Sequence, residues 1–316
     1  MKDKRILILG GTGALGKTLT KRYHKNNDVM IFSRDEHKQV NMKQKFKDIS
    51  YQIGDVKDKD SVCQVINEYK PDVVINTAAL KHVPICEEHP YESVKTNIIG
   101  HKNLIDCISN CNHKIETLMF ISTDKACKPI NVYGMCKAIS ERLYIDFANK
   151  QDDIKVVLCR YGNVLESTGS VIPFFKGLLD KGQKTLPITD GRMTRFLISL
   201  EESVDLIDWA FNHPDSHGSI VVPKLKSLLV TDLATELGKS YAGIDNITLD
   251  YIGIRPGEKI HEEMVSLEES LRTTEHTKYF MITDNVINEE AWSFASNTVV
   301  MPYEEVNEFL KGKGVI

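Results

Sequence analysis

A chain of 316 residues is long enough to bury a sizeable core, as one large unit or two joined ones. Its 40 Lys and Arg against 44 Asp and Glu leave a net charge of −4 and a pI near 6.2, which argues against nucleic acid as a main partner. No run approaches the ~18 apolar residues of a membrane span. The basic start Lys2-Asp3-Lys4-Arg5 precedes an apolar run that Gly10-Gly11 ends too early for a signal peptide, so a soluble, cytoplasmic protein is expected. Seven cysteines at 63, 86, 107, 111, 127, 136 and 159 form no Cys-x-x-Cys pair, which predicts reduced thiols. Cys107, Cys111 and His113 read as one helix face, and no metal is expected.

Residues 5–9 have the apolar run of a buried strand, followed by Gly10-Gly11-Thr12-Gly13-Ala14-Leu15-Gly16 and a helical stretch over 17–25. Glycines at this spacing between a strand and a helix predict a pyrophosphate cradle, because helix N-terminal amides then point at the phosphates. A second strand, 29–32, ends at Ser33-Arg34-Asp35, where the ribose 2′ position of a dinucleotide is met. Ser33, Arg34 and Lys38 make that pocket positive and favour NADP, while Asp35 keeps NAD open. Glu36 and His37 read as a solvated charged loop. A strand at 50–53 opens into Gly54-Asp55-Val56, with Asp55 placed to accept from an adenine amino group.

A helix over 58–69 and a strand over 73–76 lead to Thr77-Ala78-Ala79-Leu80-Lys81-His82. Small residues there permit close approach to a flat ligand, and Lys81 can reach an anion. The helix over 91–107 carries Asn97, as a structural tie or a group that organises a site. A strand over 118–121 then opens into Ser122-Thr123-Asp124-Lys125-Ala126, and a helix over 131–150 follows, bearing the Tyr-x-x-x-Lys pair Tyr133 and Lys137. One helical turn apart, an ammonium can favour the ionised form of a phenol whose ordinary pKa is ~10. A strand over 155–159 ends in Arg160-Tyr161-Gly162-Asn163-Val164, where Asn163 meets cofactor or substrate.

Regular alternation over 5–164 predicts an α/β fold, a doubly wound parallel sheet of Rossmann type, with ligands at the carboxyl ends of its strands. Residues 1–165 form the dinucleotide-binding domain in this reading. Residues 166–316 form a smaller, mainly substrate-binding α/β part, with 197–223 returning to the first domain. This part opens with the loop Glu166-Ser167-Thr168-Gly169-Ser170. Helices are expected up to about 181 and over 201–212 and 231–240, with strands at 219–222 and 247–252. The arginine-bearing stretches 189–196 and 255–262 suggest a lid gripping an anion, and 285–316 reads as a packing or assembly tail without chemistry.

Taken together, the blocks 10–16, 33–36, 78–84, 95–97, 122–137, 160–164, 169–174, 189–196 and 255–262 resemble the extended short-chain dehydrogenase/reductases acting on nucleotide sugars. Within them the likeness is to inverting UDP-N-acetylglucosamine 4,6-dehydratases. Members that retain C5 configuration commonly carry Asp-Glu after the Thr, whereas those that invert it carry the Asp-Lys seen at Asp124-Lys125. The resemblance implies dehydration of UDP-N-acetylglucosamine to a UDP-4-keto-6-deoxy-N-acetylhexosamine with C5 inversion, in nucleotide-sugar biosynthesis for glycans, by a homo-oligomer.

It implies a tightly held NADP, regenerated in each cycle, on Gly10, Thr12, Gly13, Ala14, Leu15, Gly16, Ser33, Arg34, Lys38, Asp55, Val56, Ala78, Ala79, Lys81, Thr96, Tyr133, Lys137 and Val164. It also implies catalysis by Thr123, Asp124, Lys125, Tyr133 and Lys137, and a UDP-sugar held by Lys81, Asn163, Ser170, Val171, Thr189, Arg195, Arg255 and Glu258. Tyr133 takes the C4 hydroxyl proton, Lys125 the C5 proton once its pKa is depressed below the ordinary ~10.4, and Asp124 releases the C6 hydroxyl as water. The alternatives are a UDP-sugar C4 epimerase, which needs no acid–base pair for elimination, a C5-retaining or UDP-glucose 4,6-dehydratase, and a dinucleotide-sensing regulatory protein.

Overall fold

Strands made of apolar residues at every position can be covered on both faces, and the first strands are of this kind. In the computed structural model, which describes residues 1–165, 167 and 169–316, β1 (Arg5–Leu9) buries Leu7 and Leu9 toward one helical layer and Ile6 and Ile8 toward the other. Glu166 and Thr168 of the loop expected to open the second part lie outside the described residues.

The chain continues through α1 (Ala14–Tyr23), β2 (Asp28–Ser33), α2 (Glu36–Lys45), β3 (Ser50–Ile53), α3 (Lys59–Tyr69), β4 (Val73–Asn76) and α4 (Val83–Glu88). Next, α5 (Pro90–Val94) runs through a widened turn at Lys95–Ile99 into α6 (Gly100–Ser109), followed by β5 (Thr117–Ile121), α7 (Val132–Ala148) and β6 (Lys155–Cys159). Beyond it come β7 (Asn163–Val164), α8 (Val171–Leu179), β8 (Thr185–Ile188), β9 (Thr194–Ile198), α9 (Leu200–Asn212), β10 (Ser219–Pro223) and β11 (Ser227–Leu229). The last elements are α10 (Val230–Glu236), β12 (Thr248–Tyr251), β13 (Glu263–Val265), α11 (Leu267–Ser270), β14 (Thr273–Glu275), β15 (Tyr279–Ile282), β16 (Phe294–Ala295) and α12 (Tyr303–Gly312).

Nine strands form one sheet in the order β14-β15-β10-β6-β5-β4-β1-β2-β3. All pairings from β3 to β10 are parallel, whereas β15 and β14 close the edge antiparallel. The direction of winding reverses between β1 and β4, so a crevice opens at their carboxyl ends. This is the expected Rossmann-type fold with a smaller C-terminal α/β extension. That extension has its own core, in which Ile172, Phe175, Leu186, Leu228 and Leu233 meet Val306 and Leu310 of α12.

Three departures from the sequence reading have physical causes. Glu36 and His37 open a helix, not a loop: Asp35 caps it by accepting from the Lys38 amide at 3.0 Å, and only Gln39 and Met42 are buried, so the helix has almost no apolar stripe to read. The expected continuous helix over 91–107 is widened at Lys95–Ile99, around Asn97. Asn97 Oδ1 accepts from the Leu80 amide and its Nδ2 donates to the Leu80 carbonyl, both at 2.8 Å, which ties the loop after β4. The reduced-thiol expectation is corrected as well. Cys63 on α3 and Cys107 on α6 are joined by a disulfide across two neighbouring helices that are far apart in sequence, while the other five cysteines are free thiols.

Candidate active site

The cradle for a dinucleotide is made by backbone. Gly10 takes φ +72°, and a Cβ there would stand 2.7 Å from the Ala78 backbone, so β1 and β4 can approach only through glycine. Gly13 precedes α1 without a capping side chain, which leaves the amides of the first turn, over Ala14, Leu15 and Gly16, open to an anion. A cavity of about 170 Å³ beside it is lined by Gly10, Thr12, Ser33, Arg34, Lys38, Asp55, Val56, Ala78, Ala79 and Thr96 together with Phe32, Asp35 and Gly54. Ten of the residues named for the cofactor from sequence therefore share one pocket, and their chemistry fits a dinucleotide. The positive charge expected at its 2′ end is largely matched. Lys38 Nζ lies 3.0 Å from Asp35 and Arg34 approaches Asp55 at 3.9 Å.

The chemical cluster sits at the end of β5. The Ser122 amide donates to Cys159 O at 2.7 Å and the Asp124 amide to Tyr161 O at 3.0 Å, so the chain stays in register with β6 past the strand end. Thr123 caps the short turn Asp124–Ala126. Asp124 is 0% exposed; its Oδ1 accepts from Thr123 Oγ1 at 2.9 Å and from Lys125 Nζ at 3.1 Å, and its Oδ2 has no partner among the described residues. Lys125 also donates to Asn163 Oδ1 at 3.1 Å, so β7 enters the cluster.

A residue that the sequence reading left unassigned completes it. Glu262, 3% exposed, brings Oε1 to 3.7 Å from Lys125 Nζ. Burial draws the Lys125 pKa down, but Asp124 and Glu262 outweigh it and hold the amine charged, above its ordinary value. The depressed lysine expected from sequence is thereby corrected, because two carboxylates, not a second amine, surround it. Burial and, next, the Lys125 charge lower Lys81.

Tyr133 is buried on α7, and burial raises its pKa; Lys125 opposes this most, with a hydrogen bond to Thr123 also lowering it. Lys137 has a different posture from the one expected. Its Nζ donates to Ile121 O at 2.6 Å and lies 4.4 Å from the Phe120 ring centroid, and burial pulls its pKa to about 7 despite Glu141. The Lys125 charge is the influence that most opposes burial at the Tyr133 phenol.

Beneath the cluster Arg160, 1% exposed, bonds Glu141 of α7 at 3.0 and 2.7 Å, Glu269 of α11 at 2.8 Å on both oxygens, and Met264 O at 2.9 Å. Ser122 Oγ joins Glu141 at 2.5 Å. The network clamps β5, β6, α7 and the C-terminal extension together.

The residues named for a sugar nucleotide are only partly assembled. Asn163 is in the cluster. Arg195 donates to the carbonyls of Thr194, Lys259 and Ile260, and its Nε lies 3.9 Å from Glu262. Arg255 and Glu258 pair with each other at 2.9 Å on an exposed loop. Ser170 Oγ is buried without a partner among the described residues, and the neighbouring Gly169 lies against the His82 ring. Val171 opens α8, Thr189 Oγ1 donates to Met193 Sδ at 2.9 Å, and Val164 lies in β7. The tail thought to lack chemistry supplies Ser296, whose Oγ accepts from the Glu262 amide at 2.8 Å. No local motif marks Glu262 or Ser296; the one hint, for Glu262, was its place at the end of the arginine-bearing stretch 255–262.

The family described as Polysaccharide biosynthesis protein matches residues 6–284. A UDP-N-acetylglucosamine 4,6-dehydratase (inverting) of Campylobacter jejuni is 44% identical over 293 residues, 90% of this chain and 84% of the relative. A UDP-glucose 4-epimerase of Rickettsia massiliae is 39% identical over 290 residues, 89% of this chain and 83% of the relative. The X-ray structure of Pen from Bacillus thuringiensis superposes with a TM-score of 0.90 at 31% identity, covering 100% of this chain and 99% of that one.

The expectation of NADP is overturned by solved structures of the same fold. The dTDP-glucose 4,6-dehydratase DesIV of Streptomyces venezuelae (TM-score 0.71, 19% identity, 81% of this chain and 86% of that one) holds NAD. So does the UDP-glucuronic acid 4-epimerase of Bacillus cereus (TM-score 0.71, 19% identity, 81% and 88%). The physical counterpart here is Asp35, whose carboxylate takes up the Lys38 charge at the 2′ end of the pocket. By the match along most of its length and the identity to its relatives, the chain belongs to the extended short-chain dehydrogenase/reductase family of nucleotide-sugar dehydratases, within the polysaccharide biosynthesis proteins.

Proposed function

We propose that the enzyme dehydrates UDP-N-acetylglucosamine to the 4-keto-6-deoxy sugar nucleotide with inversion at C5. The observation that carries this reading is the buried Asp124–Lys125 pair beside Tyr133, with Asp124 Oδ2 unpartnered. A C4 epimerase has no use for an acid and a base aimed at C5 and C6.

NAD is the cofactor in this reading: the cavity around Gly10, Arg34 and Asp55 would hold it, and it would supply the reversible hydride chemistry between C4 and C6. Tyr133 holds the proton of the C4 hydroxyl. The 4-ketone acidifies the C5 hydrogen; Lys125, charged at rest, first passes its proton to Asp124 along their 3.1 Å hydrogen bond and then takes the C5 proton, and Asp124 delivers the proton it received to the C6 hydroxyl, which leaves as water. Return of a proton to C5 from the opposite face gives the inverted product. Residues 1–165 bind the dinucleotide and 166–316 mainly the sugar nucleotide, with 197–223 returning to the first part; the place of β10 in the large sheet supports that division. Arg195, Arg255, Glu258, Ser170, Val171, Thr189 and Lys81 are assigned to the UDP-sugar. Exposed Tyr91, Ile99, Met135 and Ile139 on neighbouring helices support a homo-oligomer, which light scattering checks.

The deciding experiment incubates the purified protein with UDP-N-acetylglucosamine in deuterated water, without added dinucleotide, and follows the product by NMR. A 4-keto-6-deoxy product labelled at C5 is expected. Formation of UDP-N-acetylgalactosamine alone would favour the epimerase reading, which the Rickettsia relative's name keeps in view. Mass analysis of the nucleotide released on denaturation identifies the cofactor.

A further inference from the structure

The elimination step, as read above, sets Asp124 two tasks that conflict. To release the C6 hydroxyl it must carry a proton, and a protonated carboxyl is no counter-charge for the ammonium that forms on Lys125. The two groups share a 3.1 Å hydrogen bond, along which the Lys125 proton passes to Asp124 to leave a neutral amine and a neutral acid. At that moment the amine needs another anion beside it to remain a competent base.

We propose that Glu262 is a positioning residue for this step, supplying Lys125 with a fixed counter-charge while Asp124 is protonated. The inference rests on the dehydratase reading. Its geometry is specific. Glu262 is almost fully buried, Oε1 lies 3.7 Å from Lys125 Nζ, and Oε2 is buried with no hydrogen-bond partner among the described residues. Most buried carboxylate oxygens that serve only the fold have a hydrogen-bond partner. The backbone at Glu262 is fixed from both sides by Ser296, whose Oγ accepts from the Glu262 amide at 2.8 Å and whose amide donates to the Glu262 carbonyl at 2.7 Å. Ser296 in turn meets Thr194 Oγ1 at 2.6 Å.

The charged and titratable groups facing Lys125 are Asp124 on its own turn, Glu262 before β13, Arg195 on β9, Tyr133 on α7 and Lys81 after β4. Among the described residues only the first two are carboxylates, and in this proposal Asp124 is the one that carries the mobile proton. The step balances: the C5–H bond breaks with the proton going to Lys125 Nζ, its electron pair forms the C5–C6 double bond, and the C6–O bond breaks with the hydroxyl taking the Asp124 proton.

The test compares the unaltered enzyme with Glu262→Gln and Glu262→Asp, each mixed with UDP-N-acetylglucosamine in deuterated water across a pH series. Reduced-nicotinamide absorbance reports C4 oxidation, and NMR reports C5 labelling. Glu262→Gln is expected to keep C4 oxidation within about two-fold while C5 labelling falls roughly 10²-fold. The rise of labelling with pH is expected to move to lower pH by about one unit or more, since removing an anion makes Lys125 a weaker base. Glu262→Asp restores the unaltered pH dependence in large part. Labelling and pH dependence in Glu262→Gln equal to those of the unaltered enzyme would overturn the proposal. If the Gln variant does not fold, Glu262→Asp decides, and a loss of C5 labelling with C4 oxidation intact in that charge-keeping variant counts against it. Absence of a labelled 4-keto product from the unaltered enzyme sinks the dehydratase reading itself, which keeps the two failures distinguishable.

Discussion

The dinucleotide cradle and the elimination cluster lie at neighbouring strand ends, yet they are built differently. The cradle is backbone: a short run of glycines after β1, whose amides and lack of side chains do the work, braced by the small residues after β4. The cluster is side chains from segments far apart, Asp124 and Lys125 after β5, Asn163 in β7 and Glu262 before β13, each held by its own backbone bonds. A backbone site fails by steric exclusion and leaves the distant chemistry untouched. A side-chain cluster fails by loss of one charge, with the fold intact.

The sharpest division between the two regions comes from Lys125→Met. It is expected to lower the formation of the 4-keto-6-deoxy product by about 10³- to 10⁴-fold while the bound dinucleotide, measured after denaturation, stays at the unaltered level. Loss of dinucleotide in that variant would make the two regions one. Next in size is Arg160→Met, which strands Glu141 and Glu269 in the interior without their cation. Urea unfolding should show a loss of about 3–5 kcal/mol, and an unchanged midpoint would show that the clamp beneath the cluster contributes nothing.

Acid should weaken the same clamp. Burial raises the Glu269 pKa, but the Arg160 charge and hydrogen bonds overcome this and bring it to about 2. A folded pKa below the unfolded value near ~4.5 means the stabilisation is present above that pH and is lost as pH falls toward about 2, an effect on the order of 3 kcal/mol. Thermal unfolding followed from pH 6 downward checks it, and Glu269→Gln should flatten the dependence. The smallest stability effect is expected from Gly16→Ala, whose methyl would meet the Gly11 backbone. About 1–3 kcal/mol should be lost, together with dinucleotide binding, whereas tight binding in that variant would show that the cradle tolerates a side chain.

Much of the fold was legible because its strands are short apolar runs and its helices alternate with them, a pattern that survives without knowledge of neighbours. The helix α2 was missed since it buries little beyond Gln39 and Met42 and owes its start to the Asp35 cap. The antiparallel edge, β14 and β15, was missed because its strands are brief and lie past the regular alternation. In the site, Tyr133 and Lys137 could be named from spacing, and Asp124 and Lys125 from the family resemblance, but their states could not. For Lys137, spacing could not show that the Ile121 carbonyl and the Phe120 ring receive its amine. The positive 2′ pocket overlooked that Asp35 and Asp55 lie within reach of Lys38 and Arg34.

Local order along the chain therefore determined the Rossmann-type sheet, the glycine cradle and the residues proposed as acid, base and phenol, because each depends on residues within one or two turns of one another. Tertiary structure alone decided which charges meet. Glu262 reaches Lys125, Glu269 reaches Arg160 and Cys63 reaches Cys107 only after distant segments pack together. Coulomb interactions fall with distance in space and not in sequence, so the protonation of the site was written in the fold.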